Sequence, residues 1–158
     1  MLYTTQDYKQ TQKIGEDFAL RLCSGQAKKD RKSAIVIGLS GNLGGGKTTF
    51  LQGFAEGLGI TEKVLSPTFV ILKRFKNFYH IDCYRLNKDE EILELGWKEI
   101  ISDPKNIVAI EWPEKIKKYL PKDTIYIKFD FVDENQRKIQ FIEKGGLKDY
   151  AKRPVEKD

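Results

Sequence analysis

Gly41-Asn42-Leu43-Gly44-Gly45-Gly46-Lys47-Thr48 matches the pattern G-x-x-x-x-G-K-[ST], and its reading decides the fold. The apolar run Ala34-Ile35-Val36-Ile37 leads into it as a buried strand, and residues 49–58 lead out as a helix. Strand, glycine turn and helix in that order make a phosphate-binding loop. Glycine is required because the backbone must curl round the phosphates with positive φ available and no Cβ in the way. Exposed amides and the positive end of the helix dipole then hold the negative charge. The expected nucleotide contacts are Leu43, Gly44, Gly45, Gly46, Lys47, Thr48 and Thr49. Lys47 would reach the outer phosphates, and the Thr48 hydroxyl would ligate Mg2+.

The chain has 158 residues, enough for one domain with a real core. We read residues 1–144 as that domain and 145–158 as a basic C-terminal tail. A hydrophobic share of 40% beside 32% charged residues describes a soluble globular protein. No run nears the roughly 20 apolar residues of a membrane span. The polar start Met1-Leu2-Tyr3-Thr4-Thr5 lacks a signal-peptide core, so the expectation is a cytoplasmic protein with no membrane partner. Cys23 and Cys83 have no metal-type spacing and are expected as reduced thiols. A net charge of +5 favours acidic partners. The lysines of 115–118 and of the tail are interleaved with acids, however, and read mainly as solvated surface.

Along the chain, Ile14, Phe18 and Leu22 mark one face of a helix over 11–22, with Thr11 as its N-cap. Gly57-Leu58-Gly59 suits the end of the helix after the loop. Ser66-Pro67-Thr68-Phe69 precedes a strand over 69–72, with Ser66 and Thr68 read as turn hydroxyls. Strands follow over 78–82 and 106–111, separated by a helix over 87–101. Asn87 and Glu90 resemble a capping box at its start, and Leu93, Trp97 and Ile100 share one side. Pro113 opens a short helix over 114–120, and 124–132 and 138–142 alternate as a hairpin round Asp133-Glu134-Asn135. The architecture implied is α/β: a P-loop NTPase-like, three-layer fold on a mostly parallel central sheet with antiparallel C-terminal strands.

A phosphate loop with Mg2+ also needs a carboxylate at the end of a neighbouring buried strand. Asp82 and Glu111 both qualify. Glu111 follows a four-residue aliphatic run and fits the metal role better, which leaves Asp82 to orient the attacking water or to bind metal through water. Each alone also reads as an ordinary strand-end acid. His80, the only histidine, is expected to pack or to make a structural hydrogen bond, and Arg85 to pair with an acid. Trp112 is either core or a surface anchor. Guanine specificity is unsupported, because Asn87-Lys88-Asp89-Glu90 lacks the final Asp of Asn-Lys-x-Asp. No arginine cluster of a small-molecule kinase lid occurs between Ser66 and Leu120. What remains is a slow ATPase that uses hydrolysis to change shape, with a partner supplying some catalytic group.

Gly-Asn-Leu-Gly-Gly-Gly-Lys-Thr-Thr at 41–49, Ser-Pro-Thr-Phe at 66–69, His-Ile-Asp-Cys-Tyr-Arg-Leu at 80–86, Glu-Leu-Gly at 94–96 and Ile-Glu-Trp-Pro-Glu at 110–114 together resemble the TsaE family in order and spacing. The resemblance runs from about Thr11 to Ile142. It implies an ATPase needed for threonylcarbamoyladenosine formation in tRNA, weak alone and stimulated by partners. Mg2+ would lie on Thr48 and Glu111, with Lys47, Asp82 and Glu111 catalytic and Asp82 near the γ-phosphate. Residues 66–69 and 80–85 would respond to nucleotide, and Tyr8, before the first helix, and Arg137, in the hairpin turn, would contact it. TsaD and TsaB are the implied partners, reset by hydrolysis between rounds, with tRNA met only through that complex. Asn42 stands where the family usually has Asp. The alternative is a nucleotide-gated binding protein in which hydrolysis is incidental. Direct tRNA binding is disfavoured, because no aromatic platform is interleaved with the lysines.

Overall fold

The computed structural model describes residues 1–24, 31–65 and 71–142. Its elements are β1 (Leu2–Thr5), α1 (Tyr8–Ser24), β2 (Ile35–Ser40), α2 (Lys47–Gly57), β3 (Leu72–Phe75), β4 (Phe78–Asp82), α3 (Glu91–Glu94), α4 (Trp97–Ser102), β5 (Ile107–Glu111), a 3-10 helix (Pro113–Tyr119), β6 (Ile125–Phe131) and β7 (Arg137–Ile142). One seven-stranded sheet has the order β1-β7-β6-β2-β5-β4-β3. The central strands β6, β2, β5 and β4 run parallel, while β3, β7 and β1 join antiparallel to their neighbours. The expected three-layer α/β fold is borne out.

β2 and β5 are aliphatic almost throughout because they are covered on both faces, as inner parallel strands must be. Ile35, Ile37 and Leu39 face one core with Phe18, Phe50 and Phe54 of α1 and α2. Val36, Val108 and Ile110 face the other, with Ile92, Trp97, Ile100 and Ile116. The two long helices touch backbone to backbone. A Cβ on Gly53 would sit 1.8 Å from the Gln12 carbonyl oxygen, and one on Gly15 would sit 2.1 Å from that of Phe50.

Several expectations are corrected. The first helix starts at Tyr8, so Tyr8 is its first residue and does not precede it. Its first turn is capped by Asp7, whose Oδ1 accepts the Gln10 amide at 2.8 Å. Thr11 is buried and shares a hydrogen bond with Thr5 Oγ1 at 2.9 Å, so it belongs to the core. β1 was not foreseen: its four residues lack a clear period and are held by pairing with β7. Of the strand expected over 69–72, residues 69 and 70 lie outside the described residues and Leu72 opens β3; Ser66 to Thr68 and the tail also lie outside them. The helix expected over 87–101 is two short helices, because Gly96 takes a left-handed φ of 76° between them. No side-chain cap starts α3, and Leu93 is exposed while Trp97 and Ile100 are buried. The short helix is 3-10. In the expected hairpin, β6 itself runs parallel to β2, and only β7 reverses. Both cysteines are free, and burial pushes the Cys83 thiol up to about 12, so it stays protonated.

Candidate active site

β2 delivers the chain to the sheet's carboxyl edge, where Gly41, Gly44 and Gly46 take φ of 138°, 75° and 96°. A Cβ at Gly41 would lie 2.3 Å from the Phe129 carbonyl oxygen, so only glycine permits this turn. α2 then begins at Lys47, aiming its N-terminal end at the loop. Lys47 is buried: its ammonium donates to the carbonyls of Gly41 (2.6 Å) and Asn42 (2.9 Å) and lies 4.9 Å from the Trp112 ring centre. Burial lowers its pKa, against the opposing charges of Glu111, Asp82 and Glu114.

β5 and β4 end level with each other, so Glu111 and Asp82 are register partners across a parallel pair. The Thr48 hydroxyl donates to Glu111 Oε1 at 3.1 Å, which leaves the hydroxyl oxygen's lone pairs free of that bond. Burial pushes the Glu111 carboxyl up, but His80, Lys47 and Thr48 outweigh it and hold the group below its usual range. Asp82 goes the other way. Burial raises it, and the adjoining Glu111 carboxyl adds to that rise, against a hydrogen bond accepted from the Tyr84 amide at 3.0 Å. Of the two acids, Asp82 is therefore the better proton holder and Glu111 the better anion.

A cavity of about 770 Å3 gathers every predicted site residue: Tyr8, Leu43, Gly44, Gly45, Gly46, Lys47, Thr48, Thr49, Asp82, Glu111 and Arg137 all line it. Arg137 lies in β7 itself. Its Nε donates to the Gly44 carbonyl at 3.0 Å and its Nη1 to that of Gln136 at 2.8 Å, so it ties the hairpin to the phosphate loop. Asp7, Thr11, Glu134 and Asn135 also face the cavity; from sequence Thr11 reads as a cap, Glu134 and Asn135 as turn residues and Asp7 as nothing in particular, since helix starts and hairpin tips carry no chemical signature of their own. Trp112 is half-buried at φ 60°, with the Tyr84 ring 5.1 Å away, and lines the cavity mouth. His80 is fully buried, and neither of its ring nitrogens has a hydrogen-bond partner.

The donor set suits Mg2+, a hard cation that binds through one or two protein oxygens and keeps waters and phosphates for the rest. Thr48 and Glu111 offer such a pair, and among the described residues no group of three or more His, Cys, Asp or Glu forms a closed metal cage.

Residues 5–139 match the family model described as "Threonylcarbamoyl adenosine biosynthesis protein TsaE". The chain is similar to the tRNA threonylcarbamoyladenosine biosynthesis protein TsaE of Bacillus subtilis (strain 168), 39% identical over 118 residues, 72% of this chain and 73% of that one. It is similar to the Rickettsia felis protein of the same name, 39% identical over 132 residues, 80% of this chain and 75% of that one. A crystal structure of Bacillus subtilis YdiB superposes with a TM-score of 0.69 at 31% identity, covering 89% of this chain and 83% of that one.

Proposed function

Since the chain belongs to the TsaE family, whose members serve threonylcarbamoyladenosine biosynthesis, we propose that it binds ATP with Mg2+ and hydrolyses it to reset a complex with TsaD and TsaB. The observation that carries this reading is the 3.1 Å bond from Thr48 to Glu111, which joins the phosphate loop to the end of β5. A hydroxyl that gives its proton to a buried carboxylate turns its own oxygen toward a cation. Lys47 exchanges the carbonyls of Gly41 and Asn42 for phosphate oxygens. Mg2+ held there by Thr48 and Glu111 would neutralise charge on the transferring phosphoryl group. Asp82 accepts a hydrogen bond from the attacking water; that water's oxygen bonds to the γ-phosphorus as the bond to the bridging oxygen breaks, giving ADP and inorganic phosphate.

The chain is not the enzyme that attaches the threonylcarbamoyl group. It works in the cytoplasm and meets tRNA only through its partners. ATP turnover by the purified chain, with and without TsaD and TsaB, tests this. The expected result is slow turnover alone and faster turnover with the pair, both abolished by Glu111→Ala. If the Glu111→Ala protein supports tRNA modification fully, hydrolysis is incidental and the nucleotide-gated alternative holds.

A further inference from the structure

His80 is a buried polar group that the proposed function leaves unused. Its side chain is 0% exposed, and neither Nδ1 nor Nε2 has a hydrogen-bond partner. An imidazole carries one N–H donor and one acceptor, and burying both unmet costs free energy that a phenyl ring would avoid. A carboxylate stands close to it: Nε2 lies 3.8 Å from Glu111 Oε1, just beyond hydrogen-bond distance.

The strand register explains the approach. His80 on β4 is the direct partner of Ala109 on β5, and Glu111 is two residues further along the same face. Because Ala109 offers only a methyl group, the imidazole can cross over it to the diagonal neighbour. Phe78 and Ala109 belong to the core beneath α1 and α2, so water does not compete for this contact. Glu111 Oε1 therefore has Thr48 Oγ1 at 3.1 Å on one side and His80 Nε2 at 3.8 Å on the other. Neither contact uses Oε2.

We propose that His80 is the positioning residue for Glu111: its Nε2–H closes on Oε1 in the cation-loaded protein and fixes the carboxylate's orientation. This rests on the reading of Thr48 and Glu111 as the Mg2+ site. Ligating groups held by an outer hydrogen bond lose affinity when that bond is removed, commonly by about 10- to 100-fold.

Because the chain has a single histidine, 15N-histidine labelling gives one imidazole to observe by NMR. The expected spectrum is the Nε2–H tautomer, with its proton signal moving downfield when Mg2+ and a non-hydrolysable ATP analogue are added together and staying put with the analogue in EDTA. An Nδ1–H tautomer, or a signal indifferent to Mg2+, overturns the proposal. Two variants give a second readout. His80→Phe keeps a packed ring without the N–H, and His80→Gln places an amide N–H near the Nε2 position. By Mn2+ titration of the analogue-loaded protein, followed by EPR, His80→Phe is expected to weaken cation binding by about 10-fold, with nucleotide affinity in EDTA within about 2-fold of wild type, and His80→Gln to recover most of the loss. Unchanged Mn2+ affinity in His80→Phe, or an equal loss in His80→Gln, makes His80 a packing residue only. A wild-type protein that binds neither analogue nor Mn2+ overturns the ATPase reading itself, which separates the two failures.

Discussion

The cavity has two unlike ends. At the cation end, Lys47, Thr48, Asp82 and Glu111 come from the termini of a helix and two inner strands, and Glu111 and Lys47 are only 3% and 5% exposed. At the far end, Tyr8 stands on the first turn of α1 at 62% exposure, and Glu134, Asn135 and Arg137 come from a hairpin tip and its return strand. One end is a set of buried and half-buried groups that govern one another's charge; the other is a surface closed by hydrogen bonds to backbone carbonyls. Under the proposed function, chemistry that depends on held charge belongs to the first, and affinity without chemistry to the second.

Substitutions at the two ends should therefore separate kcat from KM. The largest effect is expected at the cation end. Thr48→Ala removes the donor to Glu111 and should lower kcat by on the order of 100-fold or more, since the loss falls on groups that act on developing charge. Steady-state ATP turnover checks this, and a Thr48→Ala protein with wild-type kcat would break the contrast. Tyr8→Ala should raise KM about tenfold while leaving kcat unchanged, as loss of one aromatic contact to a base does. A fall in kcat alone would place Tyr8 in the chemistry.

What could be read from the sequence divides along the same line. The cation end was legible because its residues obey local rules: glycines at fixed offsets before Lys47 and Thr48, and acids closing aliphatic strands at Asp82 and Glu111. The far end was reached only through family resemblance at Tyr8 and Arg137. Arg137 bonds to Gly44 across 93 residues of sequence, and no period or spacing encodes such a contact. Fold errors have the same origin. Gly96 breaks a run that is helical by pattern, and β1 exists because β7 offers an edge, so tertiary context decided both. His80 could be placed on a strand but not beside Glu111, because strand order was not readable.

Two smaller effects sharpen the comparison through stability. Arg137→Ala should cost about 1–2 kcal/mol in urea unfolding, because its guanidinium holds carbonyls of the loop and the hairpin turn together. An unchanged midpoint would mean that the far end is not tied by this residue. Asp82→Asn should act in the opposite sense. A carboxyl whose folded pKa lies above its ordinary 3.8 is destabilised by ionising, so wild-type stability falls as pH rises through the raised value. Asp82→Asn should be the more stable protein at neutral pH, with the gap closing as pH falls from the raised value to the ordinary 3.8. Urea midpoints from pH 3 to 8 would show the two curves converging at the acid end; parallel curves would remove Asp82 from the proton-holding role.

The central claim is that the phosphate loop and the two strand-end acids form one Mg2+–triphosphate site. A crystal structure with Mg2+ and a non-hydrolysable ATP analogue tests it most directly. The account predicts the cation about 2.1 Å from Thr48 Oγ1, with Glu111 bound to it or one water away. It also predicts that Lys47 leaves the carbonyls of Gly41 and Asn42 for the phosphates. A triphosphate bound elsewhere, with Lys47 still on those carbonyls and Glu111 turned from the cation, would contradict it.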